Sequence, residues 1–153
     1  MKSRKGMAVC LISLVLCCTA ARADDLKQIE KQLRKTYDNY VLSLKTPYAS
    51  GKLHFTSNGQ LVGTAPEGVW TTNGILQVSK VVLKPKVVQI DGKRILLALR
   101  TSQGSPILLP IVTARIVHIA IDLDSTTGFN IDQINLLFQQ VFQIGRASCR
   151  ERV

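Results

Sequence analysis

Three dipeptides in the middle of the chain, Asn58-Gly59, Asn73-Gly74 and Asp91-Gly92, constrain the fold more than any other feature. Each is the pair favoured in a two-residue hairpin loop, where both central residues need positive φ. Between and around them run short apolar-rich segments without helical spacing, so the region predicts an antiparallel meander. If every loop is two residues long, Phe55 faces Val62, Trp70 faces Gln77 and Val88 faces Ile95. The first and third pairings set apolar residues opposite one another, which supports that register.

Further strands are expected at residues 40–44, 93–100 and 115–123, with Ser102-Gln103-Gly104-Ser105-Pro106 as a loop. Pro106 and Pro110 flank Ile107-Leu108-Leu109 and remove two ladder donors, so this piece is expected on an edge or as irregular chain. Helices are expected at both ends. Leu26, Ile29, Leu33 and Tyr37 recur at helical spacing over residues 25–39. Ile131, Ile134, Leu137, Phe138, Val141 and Phe142 form a second apolar stripe, and Asn130 stands in the N-cap position. The expected class is α+β: an antiparallel β-meander or open barrel with an N-terminal and a C-terminal helix.

Residues 1–23 have the layout of a secretory signal peptide. Lys2, Arg4 and Lys5 precede an apolar stretch from Met7 to Leu16, and Ala21-Arg22-Ala23 supplies a small-x-small cleavage site. The apolar stretch falls short of the roughly 20 residues that span a bilayer, so membrane contact is expected only through this segment while it is uncleaved. Lipidation at Cys17 or Cys18 would want a small preceding residue, and Leu16 or Cys17 stands there instead. The expected location is periplasmic or secreted.

The last ten residues, Ile144 to Val153, change character abruptly, and they resemble the translation of a widely used short-read sequencing adapter. They are read as a non-native scar, which leaves residues 24–143 as a single exported domain. The leader accounts for +4 of the +10 formal charge and the scar for +2, which leaves +4 on residues 24–143. A balance of that size does not call for a nucleic-acid partner. All four cysteines, Cys10, Cys17, Cys18 and Cys149, lie in the end segments. The exported domain therefore rests on its core, without a disulfide, thiol nucleophile or cysteine metal cluster.

No chemistry-bearing constellation emerges from the residue order, so no catalytic residue, metal ligand or cofactor is assigned and the domain is read as non-catalytic. His54 and His118 are the only imidazoles. His118 and Asp122 share a strand face but lie about 13 Å apart along it, beyond hydrogen-bond reach. Residues 122–128 vaguely suggest a calcium loop whose Gly and closing Glu positions are unfilled, and they are read as an acidic turn. Lys80, Lys84, Lys86, Lys93 and Arg94 cluster around one predicted hairpin, yet no aromatic platform is interleaved with them for stacking bases.

The succession Lys35-x-Tyr37, Leu42-x-Leu44, Pro47-Tyr48, Gly51-x-Leu53-x-Phe55, Gly59, Gly68-x-Trp70-Thr71, Val78 and Gly92-x-Arg94 resembles the N-terminal extracytoplasmic region of acidobacterial TonB-like energy-transducer proteins. The resemblance covers about half of residues 24–143 and implies an envelope location with a binding or coupling role. It supplies no active site, and the chain as written holds no TonB C-terminal domain. Trp70 and Tyr48 are the residues singled out for contact with an envelope protein, since a lone Trp beside turns often anchors an interface; the competing expectation for Trp70 is a core plug under the meander. The other functional class is a free-standing periplasmic carrier, with a small apolar ligand or lipid held between the sheet and the helix from Ile131 to Phe142.

Overall fold

The computed structural model describes residues 24–102, 105–124 and 130–143. Residues 1–23, expected as a leader, residues 144–153, expected as a scar, Gln103 and Gly104, and residues 125–129, expected in an acidic turn, lie outside the described residues.

The N-terminal periodicity folds into helix α1, residues 24–37. It buries Leu33 and Tyr37 and is terminated by Asn39 at φ 63°, a left-handed position that Asn tolerates better than most residues. Strand β1 follows at Val41–Ser43 and β2 at Lys52–Phe55. A single helical turn, α2, spans Trp70–Asn73. Three long strands come next: β3 (Ile75–Lys84), β4 (Val87–Ser102) and β5 (Ser105–Asp122). Helix α3, Ile131–Val141, closes the order, and the Asn130 side chain accepts a hydrogen bond from the Asp132 N–H as its N-cap.

The five strands form one open sheet in the order β1-β3-β4-β5-β2. The run β3-β4-β5 is the expected antiparallel meander, β1 is antiparallel to β3, and β2 lies parallel to β5 at the far edge. The architecture is α+β with a helix at each end, and the sheet does not close into a barrel.

The hairpin assignments fare differently. Around Asn58-Gly59 the chain does reverse, with Gly59 at φ 76°, but Phe55 bridges Leu61 instead of Val62. Gln140 of α3 sits so close to Gly59 that an added Cβ would approach it to 2.7 Å, so packing as well as φ reserves this position for glycine. Asn73-Gly74 is not a hairpin: Asn73 ends α2, Gly74 has φ −82°, and Gln77 pairs with Val41 and Lys93 instead of Trp70. Asp91-Gly92 lies in the middle of β4, where Ile95 faces Ile75 and Val112 while Val88 faces Leu83 and Ile121. An added Cβ on Gly92 would meet Leu76 at 2.6 Å, so this glycine serves close strand packing and not a turn. The reversal between β3 and β4 falls instead at Pro85-Lys86, where Lys84 pairs with Val87. The segment expected as a loop at residues 102–106 continues the ladder, since Thr101 pairs with Pro106 and Ser102 with Ser105.

Both long helices cover one face of the sheet. Val78, Val81, Val88, Ile90, Val117, Ile119 and Ile121 meet Ile134, Leu137, Phe138, Val141 and Phe142 of the C-terminal helix in one core cluster. The Phe138 ring stacks near Tyr37 at 4.8 Å and Phe142 at 5.9 Å, and the Tyr37 hydroxyl donates to Asn135 Oδ1 at 2.8 Å, tying α1 to α3. Among the described residues no helix is long and apolar enough to cross a membrane.

Two outcomes follow from this core. Phe138→Ala should cost about 3–5 kcal/mol in chemical denaturation, because the ring is fully buried and its neighbours cannot all collapse into the space. Burial, followed by the neighbouring Tyr40, raises the Tyr37 phenol above its ordinary value. The folded state therefore holds that proton more tightly than the unfolded chain. The contribution is complete below about pH 10 and is lost as pH rises through the elevated folded value. Tyr37→Phe should weaken the fold by about 1 kcal/mol at neutral pH and flatten its loss above about pH 10 in urea titrations.

Candidate functional site

Two constellations stand out: a knot around a buried cation and a polar groove on the open sheet face. The knot centres on Arg94, which is 3% exposed. Its guanidinium donates to the backbone carbonyls of Asn73, of Tyr48 at 2.6 Å and of Ser50 at 3.0 Å. A planar fork with five donors suits three convergent carbonyls in a way a lysine would not. Burial lowers the Arg94 pKa from its ordinary value. Arg94 is therefore no part of an exposed basic cluster around the β3–β4 reversal, although Lys80, Lys84, Lys86 and Lys93 are exposed.

This knot places both residues singled out for partner contact. Trp70 rides on α2, 39% exposed and outside the core cluster, so it does not plug the meander. Its ring lies against Gly74, where an added Cβ would come within 3.0 Å. Val69 beside it is 65% exposed. Tyr48 is half-buried, with its ring 6.2 Å from Phe55, and its backbone bridges Glu67. Arg94 brings the two backbone segments together through the Tyr48 and Asn73 carbonyls, and Trp70 is the more exposed of the two residues.

The groove, of about 520 Å³, is lined in part by Lys52, His54, Val62, Gln89, Asp91 and His118. The register explains what the residue order hides. His118 stands directly across from Asp91, and its Nδ1 lies 2.7 Å from the carboxylate. His54 pairs with Ala120, so Asp122 is its diagonal neighbour, and the Nε2 to carboxylate distance is 2.8 Å. The exclusion of a His118–Asp122 bond holds, while each residue finds a partner on another strand. These are cross-strand clips between half-exposed side chains, each worth at most about 1 kcal/mol. A carboxylate on Nδ1 leaves the His118 Nε2 free, which is half of a nucleophile-activating arrangement. Among the described residues the groove lining contributes no Ser, Thr or Cys to complete it, and no three His, Cys, Asp or Glu side chains are grouped to hold a metal.

A third feature escaped residue-order reasoning. Beyond the Ile75↔Ile95 pair β3 ends, and beyond the Lys52↔His118 pair β2 ends. Residues 95–102 of β4 and 105–112 of β5 therefore continue as a two-stranded arm with no strand on either side. Cross-strand partners share a face, which puts Leu97, Leu99, Leu108, Pro110 and Val112 on one side of the arm and Leu96, Ala98, Ile107, Leu109 and Ile111 on the other. Leu99 is 71% and Leu108 58% exposed. The signal was present as an unbroken apolar run on each strand, but such a run reads equally well as a buried strand until its neighbours are known.

Comparison of the chain with protein-family models, with curated proteins and with solved structures finds no match. Arg94→Met should strand three buried carbonyls, cost about 3 kcal/mol or more and shift Trp70 fluorescence to the red as α2 comes away. Trp70→Phe, by contrast, should lower the melting temperature only slightly, because the ring is outside the core cluster.

Proposed function

We propose that residues 24–143 form a non-catalytic envelope domain with a protein-interaction or coupling role, as the extracytoplasmic part of a TonB-like protein. The observation that carries this reading is the arm of residues 95–102 and 105–112, apolar on both faces, with Leu99, Ile107, Leu108, Ile111 and Val112 exposed. A contiguous exposed apolar surface of this kind marks an interaction site more often than a neutral surface. Its outer end is polar, with Arg100, Thr101 and Ser102 on β4. A protein partner can enclose the apolar shaft and leave that end in water, whereas a bilayer would have to admit the polar end first. The leader 1–23 supports export, and the TonB resemblance supports an envelope role.

The rival carrier reading needs room between the sheet and α3. Phe138 and Phe142 are fully buried in that space, so a lipid or small apolar ligand would have to displace α3.

The test is a photo-cross-linking residue at Leu108, compared with one at Lys84 on the β3–β4 reversal, in full-length chain expressed with its leader. Protein adducts specific to Leu108 in the exported fraction are expected, and Leu108→Asp should remove them without lowering the melting temperature. Retention in the cytoplasm, equal labelling from Lys84, or co-purified lipid in native mass spectrometry would overturn the reading.

A further inference from the structure

The arm stands in a stretch of chain without acids. Between Asp91 and Asp122 the sequence holds no Asp or Glu, and its charged residues are Lys93, Arg94, Arg100 and Arg115. Arg94 is taken up by the three carbonyls of its knot. The other three are exposed, with Lys93 and Arg115 at the root of the arm and Arg100 near its outer end. The outer edges of the sheet are met by the chain itself. The Gln143 N–H after α3 donates to the Ser43 carbonyl of β1, and the Val62 N–H donates to the His54 carbonyl of β2.

The register joins the arm to a second group of cations. Gln77, Lys93 and Ile116 form one row across β3, β4 and β5, and Lys80, Asp91, His118 and Lys52 form the next, which reaches β2. Their chain neighbours Val78, Val81, Ile90, Val117 and Leu53 belong to the core cluster. Both rows therefore lie on the face of the sheet that neither long helix covers. Their single acid, Asp91, is held by His118 at 2.7 Å. Among the described residues none of Lys52, Lys80, Lys93, Arg100 and Arg115 forms an ion pair. β4 runs against β3 without a bulge from Lys93 to Ile95, so Leu97 and Leu99 follow Lys93 on the same side of the strand. Leu108, across from Leu99, and Val112, across from Ile95, share that side. One surface thus runs from a cationic root, past exposed Ile116 and Val112, to exposed Leu99 and Leu108.

We infer that the partner enclosing the arm is an acidic protein surface, with an apolar groove for Leu99, Leu108 and Val112 bordered by Asp or Glu side chains that meet Lys93, Lys80 and Lys52. The inference rests on the reading of the arm as an interface and names the chemistry of its partner. Charge complementarity selects this occupant. A second copy of this chain would bring the same cations and no acid of its own from this stretch. A nucleic acid would need rings on which to stack bases, and neither the two rows nor the arm holds a Phe, Tyr or Trp. A bilayer that took in the arm would also take in Arg100, which follows Leu99 within the ladder. An acidic protein meets both parts of the surface at once. The apolar side chains fill the centre of the contact and the cations its rim, where charge governs encounter rate and choice of partner more than affinity. The acidic border stops short of Lys84, whose row with Val87 carries the Asp122 carboxylate.

The test places the photo-cross-linking residue at Leu108 in the full-length chain with its leader, and compares that chain with one that also carries Lys80→Glu and Lys93→Glu. Both lysines are exposed, so the fold should tolerate the change, and Lys80→Arg with Lys93→Arg keeps the charge as a control. The yield of protein adducts is expected to fall at least about fivefold in the Glu pair and to stay within about twofold in the Arg pair. The partner peptide bearing the cross-link, sequenced by mass spectrometry, should carry Asp or Glu close to the attachment point. Should the Glu pair lose its native circular dichroism, Lys52→Glu carries the test. Undiminished adducts in the Glu variants, an equal loss in the Arg pair, or a cross-linked peptide without acids overturns the inference, while the Leu108 adducts leave the interface reading standing. If Leu108 yields no protein adduct in the otherwise unaltered chain, or phospholipid adducts in their place, both fall.

Discussion

The described structure hangs on one buried cation. Arg94 leaves the middle of the longest antiparallel ladder and satisfies three carbonyls from two otherwise unrelated stretches, residues 48–50 and the end of α2. Those stretches have no regular partner of their own beyond the Tyr48–Glu67 bridge. Without the guanidinium, their inward carbonyls would be buried and unpaired, at a cost of about 1–3 kcal/mol each. The position of Trp70 at the root of the arm depends on that crossing being held.

Periodic features were legible in the residue order and positional ones were not. Both terminal helices follow from the spacing of their apolar residues and the Asn130 cap from its residue type, whereas the antiparallel meander was inferred from turn dipeptides and its strands fall elsewhere. The turn dipeptides misled at Asn73-Gly74 and Asp91-Gly92. There glycine is required by contact, with the Trp70 carbonyl and ring in one case and the Gln77 carbonyl and Leu76 side chain in the other, and a requirement for absent side-chain volume looks the same in sequence as a requirement for positive φ. The reversal that joins β3 to β4 falls instead at Pro85-Lys86.

The site features were hidden for a different reason. His118 finds Asp91 and His54 finds Asp122 only once the register of β4, β5 and β2 is known, and the parallel placement of β2 beside β5 depends on the whole chain. The arm is a negative property, the lack of neighbours at residues 95–102 and 105–112, and no local pattern announces what a strand will not touch. The prolines at 106 and 110 came nearest to doing so, since they marked an edge before the edge was seen.

The parallel pairing of β2 with β5 has a consequence for the order in which the chain can assemble. Residues 52–55 cannot be fixed at their edge until residues 118–121 exist and have docked, and closing so long a loop is slow compared with forming the local β3-β4-β5 hairpins. An unfolded chain would therefore build its apolar arm before its covered edges are complete. The interval between those two events is when this protein is most open to aggregation, so faster docking of α3, which seals the β1 edge, would protect it more than further stability of the finished fold.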